Sequence, residues 1–120
     1  GPGYNHNGLL KAQELLWTSL RVHRRGVARK DAEADLATCR ELLASTHLQV
    51  ADFYASRDRA EGRQLRLANA AILYPETVAG QAALERLLAA GLDPDLMADD
   101  PALSSIAREF PDKSPWSDDR

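Results

Sequence analysis

Residues 30–55 read KDAEADLATCRELLASTHLQVADFYA, and this stretch decides the fold class. It contains neither glycine nor proline and consists largely of the good helix formers alanine, leucine, glutamate and arginine. Acidic residues stand near its start, where they favour the positive end of a helix dipole. Apolar side chains recur at spacings of three and four, which predicts one long helix with a seam for neighbouring helices. The predicted seam consists of Leu36, Cys39, Leu43, Thr46, Val50 and Phe53.

The same criteria predict helices on both sides of this stretch, and no segment alternates in the period of a strand. Gly26, Pro75, Gly91 and Pro111 mark their ends. Gly80 lies inside the fourth predicted helix and is expected to cost up to about 1 kcal/mol relative to alanine. The sequence therefore predicts an all-α fold of about five helices, at about 8–25, 30–55, 59–73, 76–90 and a last one from about 99 or 101 to 109.

An internal repeat appears when the chain is shifted by 36 residues. Residues 67–76 then align with residues 103–112, and each segment is a helix that ends in an aromatic residue, proline and an acid. A period near the roughly 34 residues of tetratricopeptide repeats predicts tetratricopeptide-like stacked helical hairpins. We expect a tag remnant or disordered terminus at 1–7, a helical repeat domain at 8–111 and a polar C-terminal tail at 112–120.

The composition is that of a globular chain with an uneven charge distribution. Of 120 residues, 44% are hydrophobic, but the longest apolar runs fall well short of the roughly 20 residues that span a bilayer. A single cysteine excludes an internal disulfide and a multi-cysteine zinc site. The net charge of −3 divides into +5 for residues 1–30, −3 for residues 31–92 and −5 for residues 93–120. This asymmetry indicates either an anionic partner or two ends with different surroundings.

No catalytic or metal-binding constellation is evident, so we expect neither an enzyme nor a cofactor. The three histidines lie far apart, and His47 is interpreted as a helix-surface or interface residue. Cys39 lies on the apolar seam, where burial is favoured over nucleophilic work. The aspartates of residues 93–100 lack the glycine and closing glutamate of a calcium loop.

A basic segment between Arg21 and Lys30 is the one candidate for binding phosphate. Nucleic-acid binders combine such charge with aromatic residues or a groove-reading helix, and only Trp17 is nearby. The isoelectric point of about 5.6 is also unfavourable. A solvated helix end is the favoured interpretation, and no nucleic-acid partner is expected.

Residues 28–120 resemble BamD-type proteins, the tetratricopeptide-type lipoproteins of the bacterial outer-membrane β-barrel assembly machine. The similar segments are Cys39-Arg40-Glu41-Leu42-Leu43-Ala44, His47 to Tyr54, Tyr74-Pro75-Glu76-Thr77 after Arg66, residues 82–87 and Phe110-Pro111-Asp112 with Ser114-Pro115-Trp116. The chain departs from that pattern at Arg24-Arg25-Gly26-Val27, where the family has a Tyr-Pro-x-Ser turn.

The resemblance implies the C-terminal half of a non-catalytic scaffold at the periplasmic face of the outer membrane. Its implied partners are a BamA-like POTRA domain and other assembly-machine subunits, and its membrane attachment would be only an N-terminal lipid anchor that this sequence lacks. The position matching Arg66 is implied in the BamA contact, and we assign Arg63 and Arg86 to the same partner-binding set. The residues expected to serve packing and turns are Cys39, Arg40, Leu43, Phe53, Tyr54, Tyr74, Pro75, Phe110, Pro111 and Trp116.

Several alternatives stay open at this point. The arginine at 66 fits a contact with a partner carboxylate and a bond within its own hairpin equally well. A generic α-helical repeat adaptor for another protein partner is the alternative function. The apolar face left by missing repeats is covered either by Leu9, Leu16 and Leu20 of this chain or by a second copy in a homodimer.

Overall fold

The structure, a computed structural model, describes residues 6–94, and every regular element in that range is a helix. The helices are α1 (His6–Val22), α2 (Val27–Ala55), α3 (Ala60–Leu73) and α4 (Val78–Ala89). The prediction of an all-α fold is therefore confirmed. The fifth predicted helix, the second copy of the repeat and the C-terminal tail lie outside the described residues.

The helix ends follow local sequence signals. Gly26, at a φ of 93°, separates α1 from α2, and Gly91, at a φ of 76°, follows α4. Both values lie in the region that glycine adopts without a steric penalty. The chain between α3 and α4 is the turn Tyr74-Pro75-Glu76-Thr77, so α4 begins two residues later than predicted. The first helix is shifted toward the N-terminus by two to three residues, and His6 belongs to it.

Each helix packs antiparallel against the next one, while α2 and α4 run parallel. The Cys39 thiol lies 3.2 Å from the carbonyl oxygen of Leu9, and Arg29 near the start of α2 meets the end of α1. Glu41 contacts the start of α4, and Asp52 contacts Arg86 about three turns further along α2 and about two turns further along α4. The result places α2 against all three other helices.

Two apolar clusters form the core. One joins α2, α3 and α4, and its buried residues are Ala51, Leu67, Ala68, Ala70, Ala71, Ala83 and Leu87. The other joins α1, α2, the α3–α4 connection and the start of α4, and its buried residues are Leu9, Cys39, Leu43, Ala44, Tyr74 and Ala79. Alanine dominates the first cluster, so the backbones of α2, α3 and α4 approach closely. Leu9 is buried and Leu16 packs against this second cluster, so α1 covers that side of α2 in the single chain.

The predicted seam of α2 is correct in its first half and wrong in its second. Cys39 and Leu43 are buried, but beyond them the buried positions are Ala44, His47 and Ala51. Phe53, expected in the seam, is 52% exposed, and His47, expected at a helix surface or an interface, is fully buried. A straight helix repeats every 3.6 residues, so a 3.5-residue pattern drifts around the axis over several turns.

Candidate functional site

Arg40 forms a polar junction between three helices. Its guanidinium donates hydrogen bonds to the side-chain oxygen of Gln13 on α1 (2.8 Å) and to the carbonyl oxygen of Leu73 at the end of α3 (2.7 Å). It also donates hydrogen bonds from both Nε and Nη2 to the carboxylate of Glu76, and the Nη2 bond is 2.9 Å long. The guanidinium carbon lies 4.8 Å from the centre of the buried Tyr74 ring. We refer to Gln13, Arg40, Leu73, Tyr74 and Glu76 as the Arg40 junction.

The Arg40 junction lowers the pKa of Glu76. The hydrogen bonds from Arg40 lower the pKa of Glu76 below the ordinary 4.5, although partial burial acts in the opposite direction. The pKa of Glu76 is lower in the folded state than in the unfolded chain. The ionised form of Glu76 therefore stabilises the fold. This contribution is present above the ordinary pKa and is lost as the pH falls through the lowered one.

Substitution of Glu76 by glutamine should therefore destabilise the protein near neutral pH and make no difference in acid. We expect a loss below about 1 kcal/mol, because the glutamate side chain is 53% exposed and solvent screens the pair. Urea unfolding of wild type and Glu76→Gln at a series of pH values measures the effect. The same substitution in an Arg40→Met background is the control and should have no pH-dependent effect. A difference between wild type and variant that persisted at acid pH would contradict the assignment.

The start of α4 is capped by a residue from α2. The two carboxylate oxygens of Glu41 accept hydrogen bonds from the backbone N–H groups of Val78 and Ala79, each at 2.8 Å. The Thr77 hydroxyl accepts the next one, from Gly80, and donates to the carbonyl oxygen of Tyr74. The first N–H groups of a helix have no partner within it and attract negative charge. Glu41 therefore joins α2 to α4 at the point where α3 ends.

Gly80 permits this close arrangement. A Cβ atom at this position would overlap the carbonyl oxygen of Tyr74 and lie 2.9 Å from that of Ala70. The start of α4 thus rests directly on the backbone at the end of α3. The expected propensity cost of glycine here is accompanied by a packing requirement, because the contact with α3 excludes any side chain.

Arg66 is joined to the buried His47 across the α2–α3 hairpin. Its Nη1 atom lies 3.2 Å from Nδ1 of the imidazole. Arginine has only donors, so His47 accepts at Nδ1 and, when neutral, carries its proton on Nε2. The imidazole also lies against the Tyr74 ring and the His6 ring, with centroid distances of 5.9 and 5.3 Å. The bond within the hairpin, one of the two roles weighed for Arg66, is therefore present.

Three arginines lie along one side of α3, the first of them directly before the helix begins. Arg59, Arg63 and Arg66 are spaced by four and three residues, which places them on one helix face. Arg63 is half-buried, and within residues 6–94 its side chain has no hydrogen bond or ion pair. We refer to these three residues as the α3 arginine row. Beside its start lies a shallow depression lined by Tyr54, Asp58, Arg59, Ala60, Glu61, Gly62 and Leu65.

Arg86 does not belong to this face. It is exposed and pairs with Asp52 of α2 at 3.2 Å. Positions 47 and 52 of α2 are five residues apart, so Arg66 and Arg86 meet α2 at points roughly 140° apart around its axis. The structure thus brings two of the three predicted partner-binding arginines together and places the third elsewhere.

The remaining motif residues have mixed positions. Cys39, Leu43 and Tyr74 are buried, and Pro75 is exposed in the turn. Tyr54 packs its ring over Gly62 of α3, and the exposed Phe53 lies under the guanidinium of Arg57 at 4.6 Å. Phe110, Pro111 and Trp116 lie outside the described residues.

Sequence reasoning missed three residues that organise this region: Gln13, Glu41 and His47. The spacing of His47 between Leu43 and Ala51, four residues on each side, was a usable signal for its burial. Gln13 and Glu41 contact residues 27 to 38 positions away, so no local pattern reveals their roles.

The chemistry available here is recognition of anionic groups by arginine forks. No group of three or more potential metal ligands is found among residues 6–94. In the same range, no helix combines the length and the apolar character needed to cross a bilayer. Comparison with protein-family models, curated proteins and solved structures finds no match to this chain.

Proposed function

We propose that this chain is the C-terminal half of a BamD-type lipoprotein and acts as a non-catalytic, protein-binding scaffold of the outer-membrane β-barrel assembly machine. It docks on the POTRA domain of a BamA-like subunit, contacts other assembly-machine subunits, and needs no cofactor. Its place is the periplasmic face of the outer membrane.

The observation that supports the proposal is a direct contact between two segments that resemble the family, the Cys-Arg-Glu segment of α2 and the Tyr-Pro-Glu-Thr turn. Arg40 and Glu41, from the Cys-Arg-Glu segment, bond directly to the Tyr-Pro-Glu-Thr turn and to the first residues of α4. Residues separated by more than 30 positions thus form one interlocked unit. If the two segments belong to one family motif, they are expected to contact each other in this way, although they are distant in the sequence.

The arrangement of α2, α3 and α4 supports tetratricopeptide-like stacking. In stacked hairpins each helix packs antiparallel on the next and parallel on the one after it. Here α3 lies between α2 and α4, while Glu41 and Asp52 hold α4 parallel to α2.

The docking function is assigned to the α3 arginine row. An arginine fork can pair bidentately with a carboxylate, and such pairs give both energy and orientation. Arg63 stands half-buried beside Arg66, so a partner acid would be partly shielded from water when it binds. Arg66, held by His47, presents a positioned guanidinium, which lowers the entropic cost of binding.

Titration with the periplasmic domains of a BamA-like subunit tests the proposal. We expect the wild type to bind and Arg63→Glu to bind at least about tenfold more weakly, since a buried interface penalises like charges. Arg66→Gln keeps a donor for His47 and should weaken binding without unfolding the hairpin. Arg25→Glu, an exposed change of the same charge at the opposite end of the α1–α2 hairpin, is the control.

The outcomes separate the docking partner from the residues that bind it. Failure of the wild type to bind would remove the assembly-machine function. Binding that both arginine variants left unchanged would remove the α3 arginine row while keeping the scaffold. The departure at residues 24–27 favours a second candidate, a generic α-helical repeat adaptor. That adaptor would use the same arginines on a different acidic protein.

A further inference from the structure

The connection between α1 and α2 forms an exposed tip that the proposed docking does not use. It comprises residues 21–30, which we call the α1–α2 tip, and all of these residues except Arg29 are exposed. The tip lies at the end of the hairpin opposite to the Arg66–His47 contact, since α1 runs back along α2 toward His6 and His47.

The charge of the tip is entirely positive. It contains five arginines and lysines, and no acidic residue occurs between Glu14 and Asp31. Arg29 is used inside the fold, where it donates to the carbonyl oxygens of Leu20 and His23 and pairs with Glu33. The side chains of Arg24, Arg25 and Lys30 form no ion pair within residues 6–94 and face solvent.

Two valines flank the loop at the tip. Val22 is 68% exposed and Val27 is 75% exposed, so both are among the most exposed large apolar residues of the described chain. They stand on either side of Arg24 and Arg25. No Phe, Tyr or Trp side chain is exposed in the tip, whose one ring is the exposed imidazole of His23, and the nearby Trp17 is buried against α2 at 7% exposure.

The backbone adds positive potential at the same place. The long helix α2 begins here after Gly26, with no side chain capping its first N–H groups. The positive end of its dipole therefore points out of the tip, whereas Arg29 neutralises the carbonyl end of α1. A shallow depression lined by Leu20, Arg21, Arg24 and Arg29 lies between the two helix ends. The guanidinium of Arg24 is exposed beside this depression and can meet a phosphate.

We propose that the α1–α2 tip binds the surface of an anionic phospholipid bilayer. Arg24, Arg25 and Lys30 contact the phosphate groups, with Arg21 lining the depression between the helix ends, and Val22 and Val27 enter the interface between headgroups and acyl chains. Basic residues near anionic lipid and small apolar anchors act additively in such binding. A nucleic acid is disfavoured because the tip offers only the imidazole of His23 and no larger ring for stacking, while its two valines would remain in water.

Flotation with vesicles tests this proposal on the full chain. We expect binding to vesicles of phosphatidylglycerol and phosphatidylcholine, little binding to phosphatidylcholine alone, and weakening by added salt. Arg24→Gln/Arg25→Gln should lower the partition coefficient at least about tenfold. Val22→Ser/Val27→Ser should lower it at least about threefold without changing the charge.

The matched control removes the same charge from residues outside the tip. Lys11→Gln/Arg57→Gln, at two exposed positions, should leave vesicle binding unchanged, and circular dichroism establishes that each variant is folded. Absence of wild-type binding to the anionic vesicles would overturn the proposal. An equal loss in the control would do the same, because it would attribute binding to net charge. A DNA duplex that bound more tightly than the vesicles at equal phosphate, with no effect of the serine substitutions, would identify the tip as a nucleic-acid site instead.

Discussion

Replacement of Gly80 by alanine should destabilise this protein by about 3 kcal/mol, although alanine is the better helix former. The added methyl group would overlap the carbonyl oxygen of Tyr74 and press on that of Ala70. Both are backbone atoms at the end of a buried helix, so neither can rotate away. The start of α4 must instead move off α3. That movement also stretches the hydrogen bonds from Val78 and Ala79 to Glu41.

Chemical denaturation of wild type and Gly80→Ala measures this loss. Gly62→Ala is the matched control, because it is the same substitution in a helix but its Cβ atom would meet the ring of Tyr54 at 3.0 Å. The half-exposed tyrosine ring can shift, so we expect a change within about 1 kcal/mol of wild type. Equal losses of stability in Gly62→Ala and Gly80→Ala would show that close contact with the α3 backbone is not the reason for glycine at position 80.

Loss of Arg40 should have an effect of similar size. Arg40→Met keeps an apolar stem but removes the hydrogen bonds to Gln13, Leu73 and Glu76. Gln13 is 1% exposed, so its side-chain oxygen would be left buried without this donor. Each such loss costs about 1–3 kcal/mol, and we expect a total of about 3 kcal/mol. The pairing of α1 with the rest of the fold should weaken most.

Two measurements identify this mechanism. Hydrogen exchange should show faster opening of α1 in Arg40→Met than in wild type, because Gln13 connects α1 to the Arg40 junction. Arg86→Met is the control, since its pair with Asp52 is exposed and should contribute below about 1 kcal/mol. An Arg40→Lys variant restores the charge without the planar fork and should recover only part of the stability. Equal losses of stability in Arg40→Met and Arg86→Met would contradict the claim that the Arg40 junction stabilises the fold.

Some features of the site could be predicted from local sequence. Cys39 and Leu43 were placed correctly in the interior because a two-turn apolar spacing differs little between a 3.5- and a 3.6-residue period. Beyond Leu43 the buried positions depend on how α1 and α3 pack on α2, so His47 lies inside and Phe53 is exposed. The pairing of Arg63 with Arg66 on one face follows from their spacing alone. The separation of Arg86 from them does not, since it depends on where α4 lies around α2.

The sequence by itself determined that the described chain is helical and, within two to three residues, where its helices begin and end. Those properties depend on propensity, glycine, proline and charge within a few neighbouring residues, and such interactions are already present in the local chain. Only the tertiary structure decided that Glu41 caps α4, that Arg40 joins three helices and that Gly80 must lack a side chain. These contacts join residues far apart in sequence. They arise only when α2, α3 and α4 pack at their particular distances and rotations, which no short segment of the sequence encodes.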